Sequence, residues 1–103
     1  MQTIIIMLDP KKLENPDLDL TYEFPLRIEE YTDNKVYDNG YDYIDGNVIA
    51  LWLAAENAEE GVKKVIELIK SERIVDNDLS KTVEILISDE GCAEIAKCRK
   101  IYP

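Results

Sequence analysis

Between Tyr37 and Gly46 the chain reads Tyr-Asp-Asn-Gly-Tyr-Asp-Tyr-Ile-Asp-Gly, gathering three of its six tyrosines and three aspartates into ten residues. Carboxylates at Asp38, Asp42 and Asp45 are charge-assisted acceptors for Arg or Lys. Tyr37, Tyr41 and Tyr43 add large contact area with few torsions to freeze, so the segment suits a protein interface. The structural alternative is a hairpin whose tyrosines half-bury and whose aspartates build turns. Aspartates beside glycines also raise calcium binding. An EF-hand loop, however, needs acidic or amide residues at alternate positions before its glycine, and neither Gly40 nor Gly46 has them.

Other chemistry finds less support. Histidine is absent, which removes the commonest general base and the commonest metal ligand together. Cys92 and Cys98, the only cysteines, make neither a disulfide framework nor, without histidine, a zinc site. Neighbouring carboxylates such as Glu29-Glu30 and Glu59-Glu60 diverge when helical and do not form an acid/base pair. Glycine-rich phosphate loops and nucleophile elbows are missing. Pro16-Asp17 followed by Asp33-Asn34-Lys35 formally resembles the Pro-Asp and Asp-x-Lys elements of one large nuclease superfamily. Asp33-Asn34 reads as a turn, whereas metal-dependent cleavage needs both acids and the lysine held around one ion. The expectation is a protein that is not an enzyme and takes no cofactor or metal.

The elements that must position the tyrosine-rich segment begin with Thr3 to Leu8, a β-branched run that predicts a central strand covered on both faces. Asp9 to Phe24, with Pro10 and Pro16, reads as an irregular connection pinned by Leu13, Leu18 and Leu20. Pro25 then opens a short helix to Tyr31, or else an edge strand. Lys35 to Ala55 predicts a β-meander of three strands, with Asn39-Gly40 and Asp45-Gly46 supplying the positive φ of two tight turns. Alternation then places Tyr37, Tyr41 and Tyr43 at one parity and Asp38 and Asp42 at the other. Trp52, mid-strand, is expected in the core.

Asn57 with Glu60 three residues on marks a helix start, and Val62, Val65, Ile66 and Ile69 trace its apolar stripe to about Arg73. Strands at Thr82 to Ser88 and at Ile95 to Tyr102 complete the order. If the strand ending at Ala55 and the one from Thr82 are parallel, the helix is a right-handed crossover between them. The predicted fold is a single α+β domain: a mixed β-sheet with a β-meander (about 35–55) and one long helix (about 57–73) packed on one face.

A chain of 103 residues, 46% hydrophobic and 33% charged, fits one domain with a genuine core. Its apolar runs fall far short of the roughly 20 residues that cross a bilayer. The N-terminus lacks a basic n-region, so the cytoplasm is the expected compartment. Net charge is −10, and residues 14 to 60 hold thirteen acids against Arg27 and Lys35, so the whole excess lies in that segment. This polarity argues against nucleic-acid backbones and anionic lipid, and for a basic protein partner or simple solubility.

The short single domain, the acid-rich Tyr37 to Gly46 segment and the order of elements resemble small acidic immunity proteins encoded beside bacterial polymorphic or contact-dependent toxins. That resemblance implies a cytoplasmic inhibitor covering a toxin's active or substrate-binding surface. The alternatives are an adaptor or subunit of a cytoplasmic complex and a small-ligand-binding regulatory domain.

Overall fold

Ile4, Ile5 and Ile6 are all fully buried, which requires cover on both faces of the strand that carries them, β1 (Gln2–Leu8). The computed structural model, which describes all residues from Met1 to Pro103, supplies that cover from two different sources. β1 is the middle strand of a five-stranded sheet running β2 (Val36–Asp45), β3 (Val48–Ala55), β1, β4 (Glu84–Ser88), β5 (Arg99–Tyr102) from edge to edge. Every hydrogen-bonded neighbour pair is antiparallel. The expected mixed sheet is therefore corrected to an antiparallel one. β3 and β4 do run parallel to each other, but β1 lies between them.

On one face, α1 (Leu20–Tyr31) and α2 (Ala58–Ser71) pack over Ile4, Ile6, Leu51, Leu53, Ile85 and Ile87 in a single apolar cluster. The chain thus has two helices on the sheet where one long helix was expected. α1 begins five residues before Pro25, which sits inside it; Leu20, Phe24 and Ile28 form its buried stripe. α2 starts as its sequence dictates, with the Asn57 side chain accepting from the Glu60 N–H at 3.0 Å. Its buried face is Val62, Val65, Leu68 and Ile69, while Ile66, expected in the stripe, is half-buried on its flank.

The opposite face is covered by the β4–β5 connection, residues 89–98. Thr3 Oγ1 donates to Glu90 O at 2.7 Å and accepts from Ala93 N at 3.1 Å, and Trp52 Nε1 donates to Ala93 O at 2.9 Å. Asn39 Nδ2 donates to Cys92 Sγ at 3.5 Å, so this strap crosses from β4 over β1 and β3 to β2. Ile5, flanked by its partners Trp52 and Leu86, lies on this face. Trp52, expected in the core, is half-buried there and lies outside the main apolar cluster.

The three-strand meander is corrected to a two-strand hairpin. Gly46 and Asn47 make the turn, with φ +65° at Gly46, whereas Asn39-Gly40 is a β-bulge inside β2 where two residues face Trp52 alone. Gly40 at φ +98° serves that bulge. Before β2, Thr32 Oγ1 donates to Ile28 O at 2.8 Å and accepts from Val36 N at 3.1 Å. Asp33 and Asn34 reverse the chain there with left-handed φ of 55° and 62°. β2 is thereby set antiparallel beside α1.

Helix α2 lies so close to the sheet that a Cβ on Gly61 would stand 2.8 Å from Val36 Cγ2 and 3.2 Å from Ile4 Cδ1. Alanine is the better helix former by about 1 kcal/mol, yet here stiff, buried neighbours would have to give way. Gly61→Ala is accordingly expected to lower the urea midpoint, and Leu68→Ala to cost about 2–5 kcal/mol. Half-buried Ile66→Ala should cost less than Leu68→Ala. A Gly61→Ala variant more stable than the parent would refute the close approach.

Candidate functional site

β2 is an edge strand whose residues from Asp38 to Asp45 are all exposed. Its pairing with β3 decides which side chains share a face. Asp38, Tyr41 and Tyr43 stand opposite Leu53, Leu51 and Ile49, on the helix side, whereas Tyr37 and Asp42 stand opposite Ala54 and Ala50, on the strap side. The single parity expected for Tyr37, Tyr41 and Tyr43 is thus corrected: the extra residue at Asn39-Gly40 inverts the alternation. Asp45 closes the hairpin opposite Val48.

Tyr41 and Tyr43 meet edge to face, ring centroids 6.3 Å apart and planes at 79°, and remain 52% and 50% exposed. The aspartates do structural work at the free edge. Asp38 N donates to Glu29 Oε2 at 3.0 Å, Gly40 N to Asp38 Oδ1 at 3.0 Å, and Tyr43 N to Asp42 Oδ1 at 2.8 Å. Three edge amides are thus already capped by carboxylates.

Of the two cations in the acidic segment, one is consumed internally. Arg27 Nε and Nη2 donate to the two Glu72 oxygens at 3.0 and 2.6 Å, with the guanidinium 5.7 Å from the Tyr31 ring centroid. The bidentate contact holds the Glu72 carboxyl below its ordinary value. Tyr31 in turn donates to Glu67 at 2.6 Å, which raises the phenol's pKa. Lys35 is left as the segment's unengaged base, beside β2 in the turn.

Sequence reasoning missed one part of this region. Reading Asp9 to Phe24 as irregular hid the spacing of Leu18, Tyr22 and Leu26, which is i, i+4, i+8; all three are exposed. The Asp19 carboxylate beside it raises the pKa of the Tyr22 phenol.

Other candidate features do not assemble. Asp17 and Asp33 sit at opposite ends of α1, whose 12 residues span about 18 Å, so the nuclease-like elements are not brought together. No group of three or more cysteine or carboxylate side chains is placed to hold a metal ion. Cys92 and Cys98 are unbridged. A groove of about 610 Å³ between the Tyr31–Tyr37 turn and the start of α2 is lined by charges of both signs, including Glu60, Lys35 and Lys64. No helix is long and apolar enough to cross a membrane. No protein-family model, curated protein or solved structure matches the chain.

Because Glu72 releases its proton more readily folded than unfolded, its contribution to stability is complete above the ordinary value of 4.5 and is lost as pH falls through the lowered folded value. Arg27→Gln should therefore lower the melting temperature at pH 7, and the gap from the parent should close as pH drops below about 4. An equal gap at pH 7 and pH 2.5 would mean that the ion pair is not what Arg27 contributes.

Proposed function

We propose that this protein is an inhibitor that acts by binding another protein, and specifically an immunity protein that neutralises a cognate bacterial toxin in the cytoplasm. The observation that carries the proposal is the Tyr41–Tyr43 pair, half-exposed on an edge strand with Asp38 on the same face, Asp45 at the hairpin end and Asp42 between the two tyrosines on the opposite face. Exposed aromatic side chains on a strand that carries one sign of charge have the makeup of an interface centre with steering charge. A nuclease is the toxin class that best complements it. Nuclease substrate clefts are basic, and an acidic surface both fills and finds them. The resemblance to small acidic immunity proteins points the same way.

The two residue types should fail differently. Replacing Asp38, Asp42 and Asp45 together by Asn is expected to slow association about tenfold at low salt and flatten its salt dependence. Tyr43→Ala should mainly speed dissociation, by about 2 kcal/mol at a hot spot. Tyr37→Ala, on the other face, serves as the control. A partner recovered by co-purification supplies the ligand for stopped-flow measurement at two salt concentrations, with circular dichroism confirming each fold. Unchanged rates in both the aspartate and the Tyr43 variants would remove the hairpin from the interface.

A further inference from the structure

Five of the large apolar side chains that remain exposed are confined to two neighbouring elements. Leu18, Tyr22 and Leu26 are 65%, 56% and 52% exposed, on α1 and the turn leading into it; Tyr41 and Tyr43 are the others. The elements are joined where Asp38 N meets Glu29, and α1 runs antiparallel to β2 from that point. At about 1.5 Å per helical residue and 3.3 Å per strand residue, Leu26 and Tyr22 then lie alongside Tyr41 and Tyr43. Glu29 belongs to the same side of the helix as Tyr22, since the two positions fall within about 20° of one another at 100° per residue. The stripe therefore flanks β2, and Tyr41 and Tyr43 rise from the sheet face that carries the helices.

Resting on the binding role proposed above, we infer that the outer stripe of α1 and the helix-side face of β2 form one docking surface, and that its occupant is a basic amphipathic helix of the partner protein. Three observations select that occupant. A row at i, i+4, i+8 is the ridge that packs into the groove of a second helix. An added strand is disfavoured, because Asp38, Gly40 and Tyr43 already donate their amides to carboxylates. A second copy of this chain would set two acidic segments of net −11 face to face, whereas lysines or arginines flanking an apolar helix face would meet Glu23, Glu29 and Asp38.

The test uses ¹⁵N-labelled protein and three synthetic probes of equal charge: a peptide of about four helical turns with leucines on one face and lysines on the other, a scrambled peptide of the same composition, and an alternating Lys-Val peptide. The amphipathic peptide is expected to shift amides along α1 and at Tyr41 and Tyr43. It should bind more tightly than the scrambled one and lose about tenfold or more in affinity to a Leu18→Ser, Leu26→Ser variant. Both leucines are exposed, so that variant keeps its fold. Shifts confined to the hairpin, with affinity unchanged in the double variant, overturn the α1 surface and leave the hairpin reading standing. Preferential binding of the Lys-Val peptide, or equal binding of the scrambled one, overturns the helical occupant. A surface on which neither element responds to any probe overturns both this inference and the binding role beneath it.

Discussion

Burial of β1 on both faces is the constraint from which the rest of the architecture follows. Ile4 and Ile6 point to the helices and Ile5 to the strap, so each face must be roofed by something that comes from elsewhere in the chain. α2 makes its crossover above β1 because β3 and β4, the strands it joins, both pair with β1. Gly61 lets that roof descend onto Ile4 and Val36. α1 completes the layer and, through Thr32, fixes where β2 begins. The candidate surface is a by-product of this arrangement: β2 falls at the sheet edge, and α1, covering the core with Leu20, Phe24 and Ile28, turns Leu18, Tyr22 and Leu26 outward.

The acidic segment has two separable parts. Some carboxylates are spent on the fold. Glu29, Asp38 and Asp42 cap edge amides, while Glu72, outside the segment, ties down Arg27. Glu14 and Glu59 pair with Arg73 and Arg99, and the carboxylates left without a cation would gain from a basic surface placed against them. For the proposed binding role, exposed tyrosines beside unpaired acidic charge suit fast encounter followed by slow release.

Legibility in the sequence tracked how local each signal was. β1 and α2 carry their own evidence: a branched run of strand length, and an Asx cap followed by an apolar stripe. α1 was half-hidden because Pro25 reads as a helix start. Inside a helix it forfeits a hydrogen bond and costs about 3 kcal/mol, a penalty accepted here because Phe24 and Ile28 on either side are fully buried. Asn39-Gly40 was ambiguous for another reason, since a bulge and a hairpin turn both need positive φ and only the pairing of Trp52 across the sheet tells them apart. That one residue of register carried Tyr37 to the other face from Tyr41. The composition of the site was thus readable and its partition between faces was not. On α2 the buried face is turned slightly from the stripe read in the sequence, so Leu68 is buried and Ile66 only half-buried.

The capped edge bears on how the molecule behaves among its own copies. A ten-residue edge strand is a standing template for cross-β growth, and here the amides at 38, 40 and 43 are withheld from it by ionised side chains while a bulge bends the strand away. The same three caps that hold the hairpin thus also shield it from a second copy, and cutting back the Asp38 and Asp42 side chains would leave amides that another edge strand could take up.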